Sequence, residues 1–189
     1  MTRSAVHQQA RGGVRGQLRA AIRWRQDRVD RWASADLTGW WRDAELLRDL
    51  GPALAGLYDE QPTVVVGPVS RGAMVGALTA AALEVGFVEA RKEIAQATDS
   101  DQWVYRTTGP DYRDRNLVFG FRRGLLRSGD QVLMVDDWAA SGATARTIRS
   151  LVEDCGARFL GAACIVDGLT DPRLRHDLPL RALLDVRTL

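Results

Sequence analysis

The chain has 189 residues, 46% of them hydrophobic and 26% charged, which suits one soluble domain plus an extension and leaves enough chain to bury a core. A net charge of +2 is too near neutral to imply a nucleic-acid partner for the whole molecule, and the longest apolar stretch, residues 73–88, is too short and too interrupted to span a membrane. Two cysteines, Cys155 and Cys164, and two histidines, His7 and His176, leave little material for a His-based zinc site or a Ser/His/Asp triad; the cysteines read as reduced core residues of an intracellular protein.

Charge is uneven along the chain. Residues 1–31 hold eight arginines and two aspartates, a net +6. They read as a basic N-terminal arm without the apolar segment of a secretory signal. Residues 1–13 are expected to be disordered. The spacing of Leu18, Ile22, Val29 and Trp32 predicts an amphipathic helix over 16–32. A second helix is predicted over 41–58, on Leu46, Leu47, Leu50, Leu54 and Leu57. Residues 64–66, three valines, read as a short buried strand. A loop over 67–72, a small-residue helix over 73–84 and a strand over 86–90 follow. Residues 93–115 show no core period and are expected to form a loop. Strands are predicted over 117–121 and 132–135, a helix over 145–155, a strand over 160–166, a Gly/Pro-containing connection, and a last strand over 182–186. This alternation predicts an α/β fold with a mostly parallel central sheet flanked by helices. Ligands in such sheets sit at the carboxyl ends of strands, so the loops after Val66, Ala90 and Val135 are candidates to line one crevice.

Residues 131–144, QVLMVDDWAASGAT, are the most informative stretch. An apolar run ends in Asp136 and Asp137, a loop of small residues follows, and a helical pattern begins. Small residues let backbone N–H groups approach a phosphate, and a helix N-terminus adds a positive dipole end. Two carboxylates can hold ribose hydroxyls, directly or through a hard cation. The Walker pattern, the other common phosphate cradle, is absent.

At these residues the chain resembles the phosphoribosyl pyrophosphate (PRPP) motif of type I phosphoribosyltransferases. The resemblance runs from about residue 36 to the C-terminus and leaves 1–35 as a basic extension, partly disordered or helical. It implies a phosphoribosyltransferase domain over 36–189 with a small hood and a mobile loop. Asp136 and Asp137 are assigned by it to the ribose, and Ala140, Ser141, Gly142, Ala143 and Thr144 to the 5′-phosphate. Gly142→Val is expected to crowd that anion. Ser70-Arg71-Gly72 after a valine strand resembles the pyrophosphate loop of purine phosphoribosyltransferases, closest to adenine phosphoribosyltransferase. Here Val69 stands where that loop commonly has an acid, and Ala73 where it commonly has Phe. Arg91 and Lys92 occupy the place of a cation pair that also meets pyrophosphate. Residues 93–115 correspond to the mobile catalytic loop, and Asp114, with Asp111, flanks the position of an acid that acts on the base. Trp41 and Arg42 resemble a hood segment over the base. Trp138 takes the place of a residue packed against the base, and an indole there can stack on a purine.

The implied catalytic set is Asp136, Asp137, Arg71 and Asp114. The implied reaction transfers the phosphoribosyl group from PRPP to a nitrogenous base, a purine or a modified purine, and releases pyrophosphate. Magnesium is the implied cofactor, held mainly through PRPP and in part by Asp136 and Asp137. The implied setting is a cytoplasmic homodimer acting on small molecules, with no membrane partner. The rival reading is a PRPP-sensing regulator of the same fold that binds nucleic acid through the +6 segment.

Overall fold

Three successive valines can be buried on every side only inside a parallel sheet covered by helices, and Val64, Val65 and Val66 are so placed. The structure is a computed structural model and describes residues 13–26, 33–92, 102–109, 116–171 and 173–189. Its contacts divide the chain into two units, residues 1–50 with 189, and residues 51–188.

The first unit contains α1 (Gly13–Ala21), an antiparallel pair β1 (Arg23–Gln26) and β2 (Ala33–Asp36), then α2 (Thr38–Arg42) and the start of α3 (Ala44–Ala55). The helix predicted over 16–32 therefore stops at Ala21. Its stripe ends once Leu18 and Ile22 are buried. The next residues pair as a strand instead, with Arg25 Nε donating to Asp36 Oδ2 at 2.7 Å. Trp40 is fully buried and its Nε1 donates to the Leu18 carbonyl at 2.9 Å. The helix predicted over 41–58 is likewise divided, at Asp43. That residue has an extended backbone, and its Oδ1 accepts the N–H groups of Glu45 and Leu46 at 3.0 and 3.1 Å. Such a side chain starts a new helix more readily than it continues an old one.

The second unit is built on five parallel strands in the order β4-β3-β7-β8-β9. These are β3 (Val64–Pro68), β4 (Gly86–Ala90), β7 (Gln131–Ala139), β8 (Arg158–Asp167) and β9 (Leu180–Asp185). Helix α4 (Arg71–Leu83) connects β3 to β4, and α5 (Ala143–Asp154) connects β7 to β8. The two connections leave the sheet centre in opposite directions. Right-handed crossovers therefore put α4 and α5 on opposite faces and open a crevice between β3 and β7. Side-chain packing agrees. Val64, Val66, Val88, Val132, Met134, Ala162 and Cys164 form one core with Ile148, Leu151 and Val152 of α5, whereas Gly67 and Phe87 lie against Gly76 of α4.

The stretch expected to be a loop over 93–115 contains a strand, β5 (Trp103–Thr107), paired antiparallel with β6 (Val118–Arg122). Only Val104 of β5 is buried, so the pairing, not a core stripe, makes the strand. Arg106 anchors it with two 2.8 Å hydrogen bonds to Asp154 of α5. A short helix, α6 (Arg173–Asp177), lies in the predicted connection before β9. Among the described residues no helix is long and apolar enough to cross a membrane.

Candidate active site

Four apolar residues, Val132 to Val135, tie β7 into the core, and the strand then continues through the two acids to Ala139. Asp136 pairs with Cys164 and Trp138 with Val166 of β8. The carboxylates thus stand on a hydrogen-bonded strand, not on a loop beyond it, and inherit its rigidity. Asp137 is 6% exposed. The Nε of Arg71 lies 3.0 Å from its Oδ2, off the line of a hydrogen bond, and among the described residues nothing donates to that buried oxygen. A buried carboxylate oxygen without a donor is costly. It is therefore a place where a ligand hydroxyl gains.

Asp136 Oδ1 accepts the N–H of Asp137 at 2.8 Å. Burial, and next the neighbouring Asp137 carboxylate, raise the Asp136 carboxyl well above the ordinary range, while Arg71 acts in the opposite sense. A carboxyl raised by folding favours the folded state while protonated in both states and loses that advantage as pH climbs through its folded value. Asp136→Asn is thus expected to stabilise the unliganded protein by about 1 kcal/mol at neutral pH. The gain should vanish below about pH 4, where the acid is protonated folded or unfolded. Calorimetric melting of both proteins across pH checks this.

Ser70, Arg71 and Gly72, which resemble a pyrophosphate loop, follow β3, the strand beside β7, with Arg71 and Gly72 opening α4. Ser70 precedes α4, and the Val69–Ser70 peptide is cis. A Cβ on Gly72 would stand 2.6 Å from Asp136 Oδ1 and 2.8 Å from Pro68 Cδ. Glycine is needed there for the two loops to approach. Arg91 and Lys92 follow β4 on the other side of β3. The N–H of Val69 donates to the Ala90 carbonyl at 2.9 Å, which joins the two strand ends. The Arg91 side chain faces Glu89 at 3.5 Å, and Lys92 Nζ sits 5.7 Å from the centre of the Phe119 ring. Both cations reach the neighbouring strand end, engaged there by these partners rather than by the paired acids.

The residues that the resemblance assigns to the 5′-phosphate, Ala140 to Thr144, run from the end of β7 into the first turn of α5. Gly142 has φ of +73° and precedes the helix, and Ser141 Oγ accepts the N–H of Ala143 at 3.3 Å. A side chain at 142 has a cost besides any crowding of an anion: its Cβ would meet Leu174, Leu169 and Leu178 at 3.3–3.4 Å. Gly142 is required by its left-handed backbone and by those leucines.

Trp138 is half-buried on β7, directly after the acids. A Cβ on Gly168 would stand 2.6 Å from its Nε1, so the indole lies on a bare glycine. Asp114 and Asp111 fall outside the described residues. Trp41 and Arg42 are on α2 of the first unit, the Trp41 ring edge-on to Trp40 with centres 5.8 Å apart. Sequence reasoning missed Gly168, Asp167 and Arg175; the Asp-Gly pair at the end of β8 is the one local signal of a turn there.

Comparison with known proteins agrees with this geometry. Residues 44–184 match the phosphoribosyl transferase domain family. An adenine phosphoribosyltransferase of Cupriavidus taiwanensis is 32% identical over 177 residues, covering 88% of this chain and 86% of the relative. Another, of Methylococcus capsulatus, is 37% identical over 132 residues, covering 66% and 71%. The crystal structure of adenine phosphoribosyltransferase from Rhodothermus marinus superposes with a TM-score of 0.75 at 29% identity, covering 92% of this chain and 98% of that one. With the paired acids and the loops after β3 and β7 brought to neighbouring strand ends, the chain belongs to the phosphoribosyl transferase domain family and is a phosphoribosyltransferase.

Proposed function

We propose that the acceptor base is adenine. The observation that carries the reading is the half-buried Trp138 on β7, next in the chain to Asp137, whose buried Oδ2 lacks a donor among the described residues. Relatives named adenine phosphoribosyltransferase at 32% and 37% identity support it. In the transfer, the bond from ribose C1 to the pyrophosphate oxygen breaks with its electron pair going to pyrophosphate, a bond from C1 to a base nitrogen forms, and the N–H proton of the base passes to the departing pyrophosphate or to water. Asp136 and Asp137 accept hydrogen bonds from the ribose hydroxyls, and their charge favours the cationic sugar of the transition state. Arg71 meets the charge that grows on the leaving pyrophosphate. The loop before α5 holds the 5′-phosphate with backbone N–H groups and the helix dipole. Catalysis then rests on positioning and electrostatics.

Magnesium fits as the cofactor. Among the described residues no group of three or more His, Cys, Asp or Glu is arranged to hold a metal ion. Two adjacent carboxylates suit a hard cation whose other ligands come from PRPP and water. When bound, such an ion neutralises charge on the leaving group. The free thiols of Cys155 and Cys164 fit a reducing compartment such as the cytoplasm. A homodimer is the assembly the family resemblance implies, and analytical ultracentrifugation tests it.

A screen of bases for pyrophosphate release with PRPP is the test of function. Adenine is expected to exceed guanine and hypoxanthine by more than about tenfold in kcat/KM, since a misplaced exocyclic group leaves polar atoms unpaired. Chelation of magnesium by EDTA should abolish release, and added magnesium should restore it. Release with a modified purine alone would reassign the base while leaving the transfer intact.

A further inference from the structure

We propose that Gly168 and Arg175 are specificity-determining positions: together they seat the Trp138 indole and so set the depth of the base pocket. The proposal rests on Trp138 forming one wall of that pocket. Residues 167–169 run from the last residue of β8 into the turn beyond it, and several of their polar groups are held. The N–H of Gly168 donates to the Ala139 carbonyl of β7 at 2.8 Å. Asp167 Oδ1 accepts the N–H of Leu169 at 2.9 Å. Arg175 reaches back from α6 with its fork on both Asp167 carboxylate oxygens, and its Nη2 also donates to the Leu169 carbonyl at 3.1 Å. Asp167 is 8% exposed, so this pair is largely withdrawn from water and holds its geometry better than a surface pair does.

The locked turn meets Trp138 at its one residue without a side chain. A Cβ on Gly168 would stand 2.6 Å from Trp138 Nε1, 3.4 Å from Cδ1 and 3.0 Å from the Ala139 carbonyl. The backbone of Gly168 lies outside the left-handed region, so space, not dihedral freedom, calls for glycine here. A half-exposed aromatic on a strand end has room to swing. This one rests on a glycine whose own position is held by three elements: β7, β8 and α6. Arg175 is thus a positioning residue acting through the turn, and Gly168 is the contact that fixes how far the indole stands from the carboxylates.

The experiment compares Trp138→Ala, Gly168→Ala, Arg175→Lys and the double variant Trp138→Ala/Gly168→Ala. Position is read from the ¹⁹F resonance of 5-fluorotryptophan at 138, assigned with Trp138→Phe, and function from KM and kcat with adenine and from calorimetric PRPP affinity. Gly168→Ala should move the resonance and raise the adenine KM about tenfold, with PRPP affinity unchanged, because an overpacked contact displaces the indole. Arg175→Lys keeps the charge and loses the fork. It should shift both readouts in the same direction. In the Trp138→Ala background, Gly168→Ala should add nothing. If Trp138→Ala raises the adenine KM while folded Gly168→Ala and Arg175→Lys leave it at the parent value, the seat has no role in specificity and the proposal is overturned. If Trp138→Ala itself leaves the adenine KM unchanged, the base-wall reading fails first and takes the proposal with it.

Discussion

Changing both Asp136 and Asp137 to asparagine is expected to weaken PRPP binding by about a thousandfold and to remove measurable transfer. Hydrogen bonds to a charged acceptor are worth ~1.5–3 kcal/mol each. Two such losses sum to roughly 4 kcal/mol, or about three powers of ten. Neither substitution changes the shape of β7, whose pairing with β8 is through backbone. The paired charges also oppose each other in the unliganded protein, since burial and Asp137 both raise the Asp136 carboxyl. The double variant should therefore melt no lower than its parent. Titration calorimetry with PRPP and a melting scan on the same sample separate lost binding from lost folding. PRPP affinity equal to the parent's would remove these acids from the ribose site.

Gly142→Val should damage the fold near the site. A β-branched residue at φ of +73° costs about 1–3 kcal/mol in backbone strain. Its Cβ would also press on Leu169, Leu174 and Leu178, and overpacking there adds about 1–3 kcal/mol. The sum, on the order of 4 kcal/mol, lowers Tm by roughly 10 °C in a chain of this size. Gly142→Asn, which tolerates the left-handed region, should lose less. Phosphate affinity is expected to fall in both because the loop relaxes, and in the order of their melting temperatures. Loss of phosphate binding in the valine variant with an unchanged Tm would instead mean direct crowding of the anion.

Much of this architecture is legible in sequence for a definite physical reason. Strands covered on both faces are continuous apolar runs, so residues 64–66 and 132–135 stand out without any partner being known. The same rule hides the rest of β7. Asp136 and Asp137 read as the end of a strand, yet backbone hydrogen bonding takes no account of side-chain polarity, and pairing with Cys164 and Val166 carries the strand to Ala139. Strand β5 leaves no trace because most of its side chains face water and its existence depends on β6. The loops at 67–72 and 140–144 are local in sequence, so their small residues and their places after strands are legible without a partner. The Gly168 seat is not: its meaning lies in an indole thirty positions earlier, and the Asp167–Arg175 pair closes only once α6 has folded back.

The contact between Arg71 and Asp137 sets a condition on what can bind there. Each charge keeps the other company at 3.0 Å, and a visitor has to separate them. Inorganic phosphate or free pyrophosphate can take the guanidinium, but it abandons a carboxylate that is only 6% exposed, and an isolated charge at that depth is heavily penalised. A neutral sugar has the converse problem. Only a molecule that carries an anion and a diol at the right separation re-houses both partners at once. Such a pairing is expected to favour an intact donor over its separate anionic or sugar fragments, which bind more weakly because each satisfies one partner alone.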